Sequence, residues 1–293
     1  MRTLVAVLLG ALVAAGAWTM TADLFRRPVF SRRNVRGVDV PVGVGVLLAV
    51  AFVTVEAVLS LAESIDGSIS PDRPGRVAVL PVVLGFALLG LLDDLGGDGD
   101  ERGFHGHLHA MSRGHMTTGG VKLVGGGLLA LVAASSFGHD GVGRLLLGAL
   151  VIALAANLAN LLDRAPGRVG KVALIAAVPL FAFASGRDLD SLTGVAVIVG
   201  ASAGLLVPDL RERLMLGDAG ANVLGATLGL GVVLTTGTTV QVVVVAVLLA
   251  LNLASERVSF SQVIDQVGPL HALDRLGRRP LDDREPPDVP PAR

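Results

Sequence analysis

Nine apolar blocks of membrane-spanning length recur along this 293-residue chain, near residues 3–20, 41–62, 77–92, 121–137, 143–162, 169–185, 192–207, 219–236 and 239–254. Lipid offers no hydrogen-bond partners, so backbone inside it must pair with itself. A run of about 20 apolar residues does so as one helix across a hydrocarbon core of about 30 Å. The chain therefore reads as all-α, a polytopic membrane helix bundle of about nine transmembrane helices. Composition agrees: 52% of residues are hydrophobic and 17% charged, where a soluble domain carries about 25% charge. The 38 glycines suit close helix approach in lipid, and Gly225-Ala-Thr-Leu-Gly229 is a GxxxG stretch of that kind.

Arg2 and the small residues near the end of the first block also fit a secretory signal peptide. The arginines decide for a retained helix, because five follow the block (Arg26, Arg27, Arg32, Arg33, Arg36) and one precedes it. Positive charge stays on the cytoplasmic side. The N-terminus is then outside, and nine crossings bring the C-terminus into the cytoplasm. On this topology 19 of the 24 lysines and arginines face inward, and only Arg2, Arg73, Arg76, Arg144 and Arg187 face outward. Residues 1–254 form one membrane domain with cytoplasmic loops at 21–40, 93–121, 163–170 and 208–218. Residues 255–293 form a cytoplasmic tail, expected to be disordered from about 281, where Asp, Arg and Pro dominate. The absence of cysteine excludes disulfides, thiol catalysis and Cys-based zinc sites. A net charge of −1 gives no reason to expect nucleic acid as a partner.

Every unusual polar cluster falls on the cytoplasmic side. Asp93 and Asp94 end the third block, and Lys122 opens the fourth. Asn157, Asn160 and Asp163 stand three residues apart at the inner end of the fifth, where they read as one helical stripe lining a polar cleft or meeting another helix. Asp218 lies between Gly217 and Gly220 at the start of the eighth, where an acid can satisfy a helix N-terminus or take a ligand brought close by the glycines. Carboxylates beside hydrocarbon are costly to place and invite a functional reading. Hard oxygen ligands of this kind suit Mg²⁺, which takes one or two carboxylates along with phosphate oxygens and water. Lys122 and the arginines would hold the phosphates. The constellation reads as phosphoryl transfer to a membrane-bound acceptor.

Leu92-Asp93-Asp94, Asn157-x-x-Asn160-x-x-Asp163 and Leu216-Gly217-Asp218-Ala-Gly220 resemble the three signature motifs of the polyprenyl-phosphate N-acetylhexosamine-1-phosphate transferase superfamily, which includes phospho-N-acetylmuramoyl-pentapeptide transferase. Gly120-Val-Lys122-Leu and Pro41 to Gly45 fall where that family has related segments, so the resemblance spans roughly 20–255. It implies Mg²⁺ at Asp218 and Asp94, with Asp93, Asp94 and Lys122 as the catalytic groups. Asn157, Asn160, Asp163 and Gly217 would bind substrate. The implied reaction carries a sugar-1-phosphate from a UDP-N-acetylhexosamine to a polyprenyl phosphate at the cytoplasmic face of the cell membrane. It releases UMP and serves cell-wall or surface-glycan synthesis.

The chain departs from the family pattern in several places, and a counterpart of the family's last helix is not expected. Asp163 is followed by Arg164-Ala-Pro-Gly167, Pro208-Asp209-Leu-Arg211-Glu212 precedes the Gly-Asp motif, and the C-terminal histidine motif is reduced to His271. A catalytically degenerate relative that binds lipid phosphate, or serves as a membrane scaffold, is therefore the second reading. A transporter is the third, but it would place ionisable groups near the bilayer midplane rather than at one interface. His105, His107, His109 and His115 with Arg113 read as a solvated, partly cationic loop rather than a metal site. His139 reads as an exposed outer-loop residue, and Glu56 as facing a polar bundle interior or the outer surface. Assembly is open, a homodimer included.

The charge asymmetry sets an expectation for topology. A reporter fused after Arg293 should read cytoplasmic and one inserted at Ser68 external; both on one side would overturn the nine-helix reading.

Overall fold

The computed structural model describes residues 2–34, 36–96, 118–136 and 141–280. The loop histidines 105, 107, 109 and 115, Arg113, His139 and the tail from 281 lie outside the described residues. Helices α1 (Arg2–Phe25), α2 (Val46–Asp66) and α3 (Arg73–Gly96) come first, with a two-stranded antiparallel hairpin, β1 (Ser31–Arg33) and β2 (Asp39–Pro41), between α1 and α2. Then follow α4 (Thr118–Ser135), α5 (Val142–Leu162), α6 (Arg168–Phe183), the short α7 (Arg187–Ser191), α8 (Thr193–Leu210), α9 (Gly217–Thr235) and α10 (Thr238–Ser255). Two short helices, α11 (Phe260–Gln266) and α12 (Gly268–Arg275), close the described chain.

Seven of these helices, α1, α2, α3, α5, α8, α9 and α10, are long and apolar enough to cross a membrane. The other two apolar helices are shorter: α4 is apolar over Gly119–Ser135, and α6 has 16 residues. The structure is thus a polytopic helical membrane bundle, with the small hairpin as a non-helical addition inside the loop at 21–40. α8 and α9 form its centre, since two thirds of each apolar window is buried inside the protein, against 6% for α10. α10 is a peripheral helix.

Small residues set the closest helix contacts. On α9, a Cβ at Gly225 would strike the Ala155 and Ala156 backbone, and one at Gly229 would meet Val151 and Ile152, so the GxxxG stretch is the face that lies on α5. Gly200 and Gly204 of α8 have the same spacing and meet the backbone of α1 at Val7 and Ala11. A side chain at either pair would push two backbones apart in a bundle where lipid supplies no hydrophobic drive to close the gap.

The ends of the bundle differ in chemistry. The hairpin, the C-terminal ends of α3 and α5 and the N-terminal end of α9 share one end, here the site face, where hydrogen bonds join them. At the far end, Arg76 lies within the first turns of α3 rather than in a loop, and it is 2% exposed. Its guanidinium donates to Glu56 at 2.7 Å, to Glu63 at 2.6 Å and to Asp72 at 2.7 Å. Glu56 therefore faces a polar interior through this pairing. Asp72, in the loop before α3, is pushed up by burial, yet its hydrogen bond to Ser70 and the charge of Arg76 hold it below its ordinary value.

Removing one partner of a buried ion pair typically costs about 3–5 kcal/mol. Arg76→Ala should therefore lower the thermal midpoint in detergent sharply, and Arg76→Lys should recover only part, because one ammonium cannot reproduce a three-way fork. An Arg76→Ala protein melting with wild type would show that the clamp contributes nothing to stability.

Candidate active site

The start of α9 is fixed by a carboxylate from another helix. The first N–H groups of any helix lack internal partners. At α9, both oxygens of Asp94 fill that role, accepting from Asp218 N at 2.9 Å and Ala219 N at 3.0 Å. Gly217 turns the chain into the helix at φ +68°, and a Cβ there would lie 2.6 Å from Asp94 Oδ2. Only glycine meets both conditions. Arg32 of β1 donates to the Asp94 carbonyl at 3.1 Å and so ties the hairpin to the end of α3. Further main-chain bonds, Met215 N to Pro41 O at 2.7 Å and Gly45 N to Leu216 O at 2.9 Å, join the hairpin's exit to the approach to α9.

With α9 set, Asp218 turns toward α4 and α5. Its Oδ2 receives Lys122 Nζ in a close ion pair and Asn160 Nδ2 at 3.3 Å. The same ammonium reaches Asp93 Oδ2 at 3.2 Å. Asp93, Lys122, Asn160 and Asp218, from four helices, thus form one polar cluster about one-fifth exposed at its charged groups. The sequence stripe on α5 divides. Asn160 joins the cluster, while Asn157 donates to Asn252 of α10 at 2.6 Å. Six residues along a helix is about 120° round it, so Asn157 and Asp163 cannot share a face.

Asp163 caps the end of α5 and lines a cleft of about 260 Å³ with Asp94, Gly217 and Asp218. Arg33, Asn34, Arg164, Asp209 and Glu212 complete the polar lining. Burial pushes the Asp163 carboxyl well above its ordinary range, and the neighbouring Asp209, Asp218 and Asp94 add to the effect. A cleft so rich in carboxylate favours any ligand that brings positive charge with it. Asp209, only 4% exposed, and Glu212 join from the segment that departs from the family pattern. Glu212 sits at φ +56°, a conformation that costs a non-glycine residue about 1–3 kcal/mol. Its carboxylate is held there by Asn34 Nδ2 and Arg36 Nε, both at 2.8 Å. The sequence marks these two acids only as part of the Pro208–Glu212 departure from the family pattern.

The segment after α10 braces the same loops from behind. Arg168 donates to both oxygens of Asp274, at 2.8 and 3.1 Å. Burial pushes Asp274 up, but the Arg168 guanidinium outweighs it and holds the carboxyl below its ordinary value. Arg278 bonds the Pro166 carbonyl at 2.9 Å, and Arg36 bonds those of Arg279 and Pro280 at 3.1 Å. His271 is half exposed beside Asp265 and does not line the cleft.

The residues fit a divalent cation at one position. Asp93 and Asp218 converge on a single positive group, the Lys122 ammonium, which marks where a cation is held. Two hard carboxylates with phosphate oxygens and waters make a Mg²⁺ set of the usual kind. Among the described residues no three His, Cys, Asp or Glu side chains form a ready-made cage. Both Asp94 oxygens already accept backbone N–H bonds, so its first duty here is to position α9.

That duty can be measured. Asn at 94 keeps one acceptor and turns an NH₂ toward the second N–H, leaving a buried donor unpaired at a cost of about 1–3 kcal/mol. Asp94→Asn and Gly217→Ala should both lower the melting temperature in detergent. An Asp94→Asn protein as stable as wild type would remove the cap.

Comparison with curated proteins returns no match. The family description "Glycosyl transferase family 4" matches residues 77–236, from the first turns of α3 to the end of α9, and so takes in all four cluster residues, Asp94, Gly217 and Asp163. The chain belongs to glycosyl transferase family 4.

Proposed function

We propose that the protein transfers a sugar-1-phosphate from a UDP-N-acetylhexosamine to a polyprenyl phosphate at the cytoplasmic face of the cell membrane. The observation that carries the reading is the junction of Asp93, Lys122, Asn160 and Asp218 beside an arginine-rimmed cleft, at the membrane end of four helices. A lipid phosphate and a soluble nucleotide can meet only at such a boundary. An oxygen of the lipid phosphate forms a bond to the sugar-bearing phosphorus. The bond from that phosphorus to the uridylate oxygen breaks, and UMP leaves. Cell-wall or surface-glycan synthesis is the pathway this product would serve.

Asp218 and Asp93 would hold Mg²⁺, which when bound neutralises charge on the reacting phosphates. Lys122 places a permanent cation against them, and Arg33 and Arg164 on the cleft wall hold the phosphates. Asn160 fixes the Asp218 carboxylate, and Asp163 and Gly217 face the nucleotide side. A phosphate monoester has its second pKa near 6, so at neutral pH the nucleophile is already largely ionised. Positioning and charge neutralisation therefore dominate over proton abstraction. Nine crossings with the N-terminus outside would put this face in the cytoplasm, as the inward excess of Lys and Arg supports.

His271, half exposed and outside the cleft lining, favours the degenerate reading as the alternative. The deciding experiment is incubation of purified protein with Mg²⁺, undecaprenyl phosphate and a panel of UDP-sugars, reading UMP. Wild type should release UMP with at least one sugar. Asp218→Asn and Asp93→Asn should each lose on the order of 10²-fold or more in rate while binding nucleotide. Wild-type protein that binds lipid phosphate yet releases no UMP with any sugar would establish the degenerate relative instead.

A further inference from the structure

Asparagine side chains in this protein donate their amide hydrogens, with one exception. Asn34 donates to Glu212 at 2.8 Å, Asn157 to Asn252 at 2.6 Å and Asn160 to Asp218 at 3.3 Å. Asn252 donates to the carbonyls of Leu248 at 2.8 Å and Leu154 at 3.2 Å. The exception is Asn222 of α9. It is 2% exposed, and its Nδ2 has no hydrogen-bond partner among the described residues. A buried amide donor without an acceptor costs the fold stability, so its presence calls for a reason.

The place of Asn222 on α9 supplies one. It stands four residues after Asp218, one turn deeper in the bundle and about 40° round the helix. α5 meets α9 on the Asp218 face, at Gly225 and Gly229, each within about 20° of Asp218. α3 meets it further round in the sense of Asn222, at Ala219, about 100° from Asp218, where Gly90 lies against the backbone. Asn222 therefore faces the seam between α5 and α3, and that seam carries Asp93, Lys122 and Asn160 at its site end. Side chains on a helix lean toward its N-terminus, which aims the Asn222 amide at the turn that holds Asp218. Side chains four residues apart on a helix are within reach of a hydrogen bond. Asp218 Oδ2 is turned to Lys122 and Asn160, and the Asn222 donor is left over.

We propose that Asn222 is a positioning residue for Asp218. Its amide donates to the Asp218 carboxylate when that group holds a divalent cation in place of the Lys122 ammonium, and so keeps the carboxylate aimed into the cluster. Carboxylates that bind metal are commonly fixed by hydrogen bonds of this kind, and losing one lowers metal affinity about 10–100-fold. The inference rests on the reading of Asp218 as a cation ligand.

Metal affinity and thermal stability separate this role from packing, and neither needs turnover. The full chain, purified in detergent, is titrated with Mn²⁺ alone while electron paramagnetic resonance counts the free ion. The binding that Asp218→Asn loses defines the site. Asn222→Leu removes the donor at nearly constant volume; Asn222→Val replaces it if the leucine protein does not fold. The variant should bind Mn²⁺ about 10-fold more weakly or worse, while its melting temperature without metal stays level or rises by a few degrees. Thr227→Val is the control, because Thr227 is also buried and unpartnered on α9 but lies about 180° from Asp218. It should leave Mn²⁺ affinity unchanged. Wild-type affinity in Asn222→Leu would overturn the proposal and leave the cation site standing. Affinity lost only together with a lowered melting temperature, in both Asn222 variants, would overturn it too, by assigning Asn222 to the packing of the bundle. Wild-type protein that takes up no Mn²⁺ at Asp218 would remove the cation assignment itself and this inference with it.

Discussion

One carboxylate organises the site face. Asp94 closes α3, and its two oxygens supply the first N–H groups of α9 with partners that the helix itself cannot provide. The bond pair fixes where α9 begins and so the direction in which Asp218 points. The requirement at Gly217 follows, because the space that a side chain would need is occupied by the carboxylate. Charge adds to geometry, since an anion at a helix N-terminus gains from the macrodipole. The neighbouring residue, Asp93, is left to face Lys122. Two adjacent acids thus do different work. One builds the scaffold at the cleft wall and the other pairs with the Lys122 ammonium.

The far end of the bundle solves a similar problem by a different route. Arg76, nearly fully buried, gathers Glu56 and Glu63 from α2 and Asp72 from the connection that leads into α3. A guanidinium can serve three carboxylates because its donors diverge in a plane. α3 is thereby held at both ends by charge-assisted hydrogen bonds. It packs between them through apolar residues such as Val79, Val82, Val83 and Phe86. Rigid ends are what a site assembled from four separate helices needs, for none of its residues is close to all the others in sequence.

What the sequence revealed was set by period and charge. Seven of the nine apolar blocks map onto helices long enough to cross a membrane, with α3 extended backward to take in Arg76, because apolarity is read along the chain without tertiary information. Asp93, Lys122, Asn160 and Asp218 come together as their motifs imply. Asn157 does not join them, for a spacing of three repeated twice drifts round the helix, and Asn252 on the peripheral α10 takes its amide. The hairpin was hidden because its strands are three residues each and carry no alternation. Asp209 and Glu212 read as departures from a pattern, and only packing shows them on the cleft wall. The helices α11 and α12 were hidden inside a segment whose composition resembles a solvated tail.

Lys122 shows why a structure adds more than a list of acids. Three or more carboxylates around one small cleft repel each other, and in a poorly solvated place that repulsion is expensive. Without a cation the cluster would have to bind protons or open. The ammonium of Lys122, on a flexible four-carbon stem, meets this need inside the chain by lying between Asp93 and Asp218. On the proposed function, the same stem would let the ammonium turn to the reacting phosphates once Asp93 and Asp218 held Mg²⁺. An arginine in this position would bind both carboxylates through a planar fork and would yield less readily. A lysine at 122 is therefore what a cleft needs if it must be stable before its ligands bind and open to them afterwards.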